Sequence, residues 1–166
     1  MNLVPDYLFD SIYTIDIERL RARGVALLLA DLDNTLIPYS QKLPTDDIRA
    51  WRDRLHAAGI TLFILSNSRK PGRPGAFAEK LGIPFIGHAG KPKRKGYLEA
   101  MERMDCTPAQ TVMVGDQIFT DTLGAHNAGV APLLVKPIRL AGNPGRYIRY
   151  AGETPFRLLG AGRTFV

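Results

Sequence analysis

The sequence predicts an α/β fold in which a doubly wound parallel sheet has five strands. Short Val/Ile/Leu runs alternate with helical segments, and polar clusters follow the runs at their C-terminal ends. Apolar runs without polar interruptions are typical of strands buried on both faces, as in a parallel sheet with right-handed crossover helices. A chain of 166 residues has the length of a single domain. We expect its core at about 24–137 and a basic C-terminal tail at 138–166.

Each predicted strand except the last is followed by a predicted helix. The first of these helices has Thr45 as its N-cap, acidic residues in its first turn and Gly59 at its end. The predicted strands are 25–31, 60–66, 84–87, 111–116 and 131–137. The predicted helices are 44–59, 74–81, 95–104 and 120–129.

The N-terminal residues and the cysteine content indicate a reducing compartment. The stretch MNLVPDYLFD carries acidic residues where a secretory signal would carry basic ones, and no apolar run approaches the roughly 18 residues of a membrane span. Cys106 is the single cysteine and cannot form an internal disulfide. We therefore expect a soluble cytoplasmic protein.

Basic residues are concentrated in two segments. The formal net charge is +6, to which residues 69–95 contribute +7, residues 136–166 contribute +5 and the remainder −6. A single basic side chain is most simply a solvated surface residue, whereas such clusters attract phosphates, nucleic acids or acidic lipids. The sequence contains no nucleic-acid-binding motif, so we expect no specific nucleic acid partner.

Carboxylates, a hydroxyl, an amide and a lysine follow the predicted strands. In a parallel sheet, ligands bind in the crevice beyond the carboxyl ends of the strands, so these side chains should meet there. Carboxylates are ligands for Mg²⁺, and an aspartate can also attack phosphorus, so the set predicts phosphoryl transfer. The residues concerned are Asp31, Asp33, Ser66, Asn67, Lys91, Asp116 and Asp121.

The same segments resemble the four motifs of the haloacid dehalogenase phosphatase superfamily. DLDNT resembles the first motif, LFILSNS the second, GKP the third and VGDQIFTD the fourth. Residues 5–136 are also similar to the YqeG-type branch, which is related to phosphatidylglycerophosphate phosphatases. The resemblance implies a Rossmann-like domain of the capless subfamily III, because the segments after Thr35 and between Arg69 and Lys91 leave no room for an inserted cap domain.

The resemblance implies an Mg²⁺-dependent reaction through an aspartyl-phosphate. Asp31 corresponds to the nucleophile, and Asp33 to the residue that protonates the leaving oxygen and then deprotonates the attacking water. The metal-binding positions correspond to Asp31, the backbone carbonyl of Asp33, Asp116 and, through metal-bound water, Asp121. Asp121 also has a simpler interpretation, as a cap of the helix that follows it.

Three further positions correspond to phosphate-binding residues of the family. The resemblance implies that Ser66 donates its hydroxyl to a phosphate oxygen, beside backbone amides near Asn67. It implies that Lys91 neutralises charge on the nucleophile and on the phosphoryl group. Lys93 is an alternative to Lys91, and Ser66 and Asn67 are also common turn residues.

The expected activity is hydrolysis of a phosphomonoester. Without a cap domain the crevice is open, which suits a substrate whose bulk stays outside, and a phosphatidylglycerophosphate-like lipid is the leading expectation. A phosphoprotein, a polynucleotide end and a small phosphate ester are alternatives, and a non-catalytic phosphate-binding module is a second class of function.

The basic segments have expected positions around this crevice. Residues 69–73 and 91–95 follow two strands and should rim it. The tail mixes basic with aromatic and aliphatic residues, which fits adsorption on an anionic membrane surface. We expect instead that its apolar residues, Tyr147, Ile148, Phe156 and Leu158, pack on the domain.

Overall fold

A parallel sheet organises the protein, as the computed structural model shows for residues 2–68, 70–139 and 144–160. Within these ranges the sheet has six strands: β1 (Tyr7–Phe9), β2 (Leu27–Ala30), β3 (Thr61–Leu65), β4 (Phe85–Ile86), β5 (Thr111–Gly115) and β6 (Ala131–Val135). Their spatial order is β1-β6-β5-β2-β3-β4, and every pair is parallel. The predicted doubly wound parallel α/β fold is confirmed. The expected strand number was one too low, because the half-buried edge strand β1 is too short to show an apolar run.

Six α-helices lie in the described part of the chain. They are α1 (Ile17–Ala22), α2 (Asp46–Ala57), α3 (Arg73–Leu81), α4 (Lys95–Arg103), α5 (Leu123–Asn127) and α6 (Pro144–Gly160). Thr45 caps α2 as predicted, since its side chain accepts a hydrogen bond from Ile48 N. The helix predicted at 120–129 is shorter, because a π-helical turn occupies Ile118–Thr122 before α5 begins. Among the described helices, none is both long and apolar enough to cross a bilayer.

The described residues form a hydrophobic core on each face of the sheet. Leu27, Leu28 and Leu29 of β2 have no exposed surface. Leu28 belongs to the core that contains Trp51 of α2, whereas Leu27 and Leu29 belong to the core that contains Tyr97 of α4. Successive strand residues thus point to opposite, equally dry faces, which explains why the strand sequence is apolar throughout.

The parallel register brings the ends of the central strands to one edge of the sheet. Ala30 pairs with Ile64 of β3 and with Val114 of β5. Asp31 and Asp116, which follow β2 and β5, therefore emerge at the same edge. The strand order also reverses here, because β3 and β4 extend the sheet to one side of β2 while β5 and β6 extend it to the other, and such switch points bind ligands.

The C-terminal helix α6 packs on the domain through its charged side. Tyr147, Ile148 and Leu158 are 51%, 75% and 70% exposed, so their expected packing on the domain is wrong. Phe156 does pack, with its ring centroid 6.3 Å from that of Phe119. An amphipathic helix normally buries its apolar face, so polar contacts between α6 and the domain must determine this orientation.

Candidate active site

A buried lysine joins two aspartates at the centre of the site. Lys91 Nζ lies 2.7 Å from Asp31 Oδ1 and 2.8 Å from Asp121 Oδ1. Burial alone would lower the pKa of Lys91, which is only 5% exposed, but Asp121 and Asp31 outweigh this effect and raise that pKa. Lys91 therefore carries a fixed positive charge in the site, whereas the alternative candidate Lys93 is exposed.

The carboxylates around Lys91 form a cluster that can hold a divalent cation. One oxygen each from Asp31, Asp116 and Asp121 lies within 4.8 Å of the others. Burial raises the pKa of Asp31 to about 6 although Lys91 opposes the shift, and burial together with Asp31 and Asp121 raises the pKa of Asp116. One ammonium group cannot balance three carboxylates, so the residues present fit a hard, oxygen-binding divalent cation.

The Asp33 carboxylate forms an ion pair with Arg73 outside this cluster. Arg73 Nε donates to Asp33 Oδ1 at 2.8 Å, and the same guanidinium donates to the carbonyl oxygens of Gln41 and Pro38. Arg73 is buried, so its expected place on an exposed basic rim is wrong. The metal contact predicted for Asp33 involves its backbone carbonyl and stays a prediction.

Of the described basic residues expected around the crevice, Arg73 and Lys91 are buried, whereas Lys70 is exposed. Lys70 donates to the carbonyl oxygen of Tyr39 at 3.1 Å, with its ammonium 3.7 Å from the centroid of the same ring. Residues 93–95 are exposed. Arg69 and Arg163, which the charge count includes, lie outside the described residues.

Ser66 and Asn67 fix the loops around the lysine. Ser66 Oγ accepts a hydrogen bond from Ser68 N at 3.0 Å. The Asn67 amide exchanges two hydrogen bonds with the backbone of Lys91: Nδ2 donates to the carbonyl oxygen at 2.8 Å, and Oδ1 accepts from the amide at 3.0 Å. The side chain of Asn67 therefore positions the lysine loop, while the phosphate contacts of Ser66 and of the amides near Asn67 stay predictions.

Asp121 is held in place by the backbone of its own loop and by α4. Its Oδ2 accepts a hydrogen bond from Gln117 N at 3.1 Å, and the Tyr97 hydroxyl donates to its carbonyl oxygen at 3.2 Å. A Cβ atom at Gly115 would lie 2.2 Å from Asp121 Oδ2, so this close approach requires glycine. Asp121 does not cap α5, which has no side-chain cap bond, although its bond to Gln117 N lies at the start of the preceding π-helical turn.

Comparison with known proteins decides the family. Residues 4–129 match the family model for haloacid dehalogenase-like hydrolases. The chain belongs to this family. A similar curated protein is the "Probable phosphatase YqeG" of Bacillus subtilis (strain 168). It is 34% identical over 158 residues, which cover 95% of this chain and 90% of the relative. The predicted membership and enzyme class, a haloacid dehalogenase-type phosphatase, are confirmed.

Two other similarities are informative at different levels. "Phosphatidylglycerophosphate phosphatase 1, chloroplastic" of Chlamydomonas reinhardtii is 30% identical over 149 residues, which cover 85% of this chain but only 55% of that protein. The cobalt-bound deoxy-D-mannose-octulosonate 8-phosphate phosphatase of Haemophilus influenzae superposes with a TM-score of 0.53 at 16% identity, covering 86% of this chain and 93% of that one. At that identity the structural similarity shows the fold alone.

In this haloacid dehalogenase-like hydrolase, α6 is fastened to the loop that carries Asp116. Glu153 Oε1 accepts hydrogen bonds from Ile118 N at 2.8 Å and from Phe119 N at 3.3 Å. Arg157 pairs with Glu153 Oε2 at 2.9 Å and donates to the carbonyl oxygen of Asp116. The sequence shows only an i,i+4 pair in a basic tail, so it gave no sign that this pair supports the site.

Arg157→Met is expected to destabilise the hydrolase strongly, because it leaves Glu153 buried without its cation. Removing one partner of a buried ion pair costs about 3–5 kcal/mol in the free energy of unfolding. Arg149→Met is the matched control: Arg149 lies on the same helix and is exposed, although it donates to Gln117 Oε1, so we expect a loss of about 0.5 kcal/mol or less. Chemical denaturation measures both. Equal effects would show that the Glu153 pair does not hold α6 on the loop.

Proposed function

We propose that the chain is an Mg²⁺-dependent phosphomonoester hydrolase that acts through an aspartyl-phosphate on Asp31. The observation that carries this proposal is the Lys91 ammonium group between Asp31 and Asp121, beside a cluster of three carboxylates. A non-catalytic phosphate-binding module has less support, because binding alone needs neither a nucleophile nor a separate acid such as Asp33.

Asp31 attacks phosphorus in the first step of the proposed reaction. Its Oδ forms a bond to phosphorus while the bond from phosphorus to the ester oxygen breaks, and the leaving oxygen takes a proton from Asp33. Water then attacks the phosphorus of the aspartyl-phosphate, Asp33 takes a proton from that water, and Asp31 leaves as the carboxylate. Lys91 stabilises the negative charge on the transferred group in both steps. Mg²⁺, held by Asp31 and Asp116 and oriented by Asp121, would supply further charge stabilisation when bound.

Arg73 has a proposed role in preparing Asp33 for proton transfer. The guanidinium holds Asp33 Oδ1 at 2.8 Å and is itself fixed by two backbone carbonyl groups. We assign the transferred proton to Oδ2, the carboxylate oxygen other than the one bonded to Arg73 Nε. A buried and fixed partner of this kind limits the conformations of the acid before the substrate arrives.

A phosphatidylglycerophosphate-like lipid is our leading substrate. Two facts support this choice: one relative carries the name phosphatidylglycerophosphate phosphatase 1, and the described residues contain no inserted cap domain over the crevice. An open crevice has little wall with which to hold a small soluble ester. A phosphoprotein, a polynucleotide end and a small phosphate ester are the alternative substrates.

Mg²⁺ affinity should rise as the pH rises through about 6, the value to which burial raises the pKa of Asp31. A metal ligand must lose its proton, so binding of Mg²⁺ competes with protonation of Asp31 and Asp116. The metal-free protein should behave in the opposite way. Its folded-state pKa at Asp31 lies above the ordinary 3.8, so the free energy of unfolding should fall as the pH rises from about 4 to about 6.

Calorimetric titration with Mg²⁺ across this pH range, together with denaturation of the chelated protein, measures both slopes. Phosphate release from an aryl phosphate should stop with a chelator and return with Mg²⁺. Mg²⁺ affinity that does not change with pH would mean that Asp31 and Asp116 do not hold the ion.

Vesicle-borne phosphatidylglycerophosphate should be hydrolysed much faster than glycerol phosphate, and added salt should reduce the difference. Surface charge attracts basic residues at about 1 kcal/mol per nearby Lys or Arg, and salt screens this attraction. Arg94→Glu/Lys95→Glu should therefore lower turnover on vesicles by about tenfold and leave aryl phosphate turnover nearly unchanged.

The matched control for this experiment is Arg54→Glu/Lys80→Glu. Both residues are exposed and lie near the ends of α2 and α3, at the edge of the sheet away from the site. An equal loss in the control pair would assign the effect to net charge. A preference for a nucleotide or sugar phosphate that does not depend on salt would overturn the lipid substrate.

A further inference from the structure

Helix α6 presents a continuous apolar face to solvent. Tyr147 and Leu158 are separated by eleven residues, as are Ile148 and Leu159, and eleven residues are close to three helical turns. These two pairs lie side by side on the helix and are exposed, Ile148 by 75% and Leu159 by 66%. The positions between them, Ala151 and Pro155, are exposed as well. We call these six residues the α6 outer face.

The opposite side of the helix explains why this face is turned outward. Glu153 and Arg157 are buried, and they satisfy two backbone amides and a carbonyl group of the loop that carries Asp116. Burying polar groups without hydrogen-bond partners costs more free energy than exposing a few apolar side chains. The orientation of α6 is thus fixed by the active-site loop, and the outer face follows from it.

We propose that the α6 outer face docks on an anionic lipid bilayer. Charge complementarity favours this occupant, because Glu153 is the only acidic residue in α6 and Arg157 neutralises it, so the exposed formal charge that flanks the face, at Arg149, is positive. Apolar side chains flanked by Tyr and Arg are typical of helices that lie in a membrane interface. The choice of a bilayer over a second copy of the chain rests on the lipid substrate of the proposed function.

Docking here would place the membrane against the helix that supports the Asp116 loop. The buried side of α6 touches the loop after β5, and the outer face lies about one helix diameter, roughly 10 Å, beyond it. A bilayer at that surface would therefore be separated from the loop that carries Asp116 by the thickness of the helix. The apolar face supplies depth of insertion, and the basic residues supply attraction over longer distances.

Ile148→Asp/Leu159→Asp tests the proposal, because both side chains are exposed and neither contacts the site. The matched control is Leu43→Asp/Leu98→Asp, which adds the same charge at exposed leucines elsewhere. Binding is measured by co-sedimentation with vesicles of phosphatidylglycerol and phosphatidylcholine, and thermal unfolding shows that each variant is folded. Vesicle binding of the α6 variant should fall at least about tenfold, because the free energy gained by burying two aliphatic side chains in the bilayer is lost. Vesicle binding of the control variant should fall much less.

Three results would overturn the docking surface. These are failure of the wild-type protein to sediment with the vesicles, a loss of binding in the control pair as large as in the α6 pair, and dissociation of a dimer by the α6 pair without a change in vesicle binding. Failure of the proposed function is a separate result. Vesicle binding that depends on α6, without hydrolysis of phosphatidylglycerophosphate, would exclude the lipid substrate but support the docking surface.

Discussion

Asp31→Asn is expected to reduce phosphate release to below about one ten-thousandth of the wild-type rate, the scale of loss when a nucleophile is removed. An amide nitrogen or oxygen does not form the acyl-phosphate bond, so the reaction stops before its first intermediate. The variant should also fail to incorporate phosphate from a labelled substrate. Steady-state release and acid-stable labelling of the protein measure the two effects.

The structure separates this loss from unfolding. Burial raises the pKa of Asp31 to about 6, which means that the ionised carboxylate destabilises the metal-free fold at neutral pH. Asparagine removes that charge at nearly the same volume, and Lys91 keeps Asp121 as its partner at 2.8 Å. The chelated variant should therefore unfold at the wild-type temperature or above. Asp53→Asn, at an exposed position of α2, is the control, and near-normal turnover of Asp31→Asn would refute the nucleophile.

The sheet was predictable because each central strand is buried on both faces and therefore requires an apolar residue at every position. Leu27, Leu28 and Leu29 face alternately into two dry cores, so every position is apolar and the run is visible in the sequence. The short strand β1 lies at the edge and is half-buried, and it shows no such run. The position of the site followed from the same logic, because polar residues at the ends of parallel strands converge.

The supporting residues were not predictable, because their roles depend on contacts between distant parts of the chain. Arg73 pairs with Asp33 across 40 positions of sequence, and in the sequence it belongs to a basic cluster that suggests a solvated rim. The Asn67 side chain is similarly joined to the Lys91 backbone by two hydrogen bonds across 24 positions. Motif spacing identifies the candidate catalytic residues, but only the fold shows which contacts hold them in place.

Helix α6 reverses the usual relation between sequence pattern and burial. Its apolar spacing predicts packing on the domain, yet the pair that is buried is Glu153 with Arg157. The amides of Ile118 and Phe119 need an acceptor where a π-helical turn interrupts regular structure, and Glu153 supplies it. The position of the loop that carries Asp116 and the outward orientation of the apolar face therefore have the same cause.

Asp33→Asn should lower turnover to an extent that depends on the leaving group. General acid catalysis contributes about 10²–10⁴-fold, and a poor leaving group such as an alkyl alcohol needs the proton most. The loss should therefore be near the upper value for glycerol phosphate or a lipid phosphate. Nitrophenyl phosphate has a good leaving group, so its first step should be nearly unimpaired in the variant.

The second step needs Asp33 to take a proton from water, so the variant should accumulate aspartyl-phosphate from the nitrophenyl ester. Rapid mixing is expected to show a burst of one equivalent of nitrophenol followed by slow turnover. Asparagine keeps an oxygen that can accept the hydrogen bond from Arg73 Nε, so the loop geometry should survive the substitution. Equal losses for both leaving groups, without a burst, would mean that Asp33 serves to hold Arg73 and its loop rather than to transfer the proton.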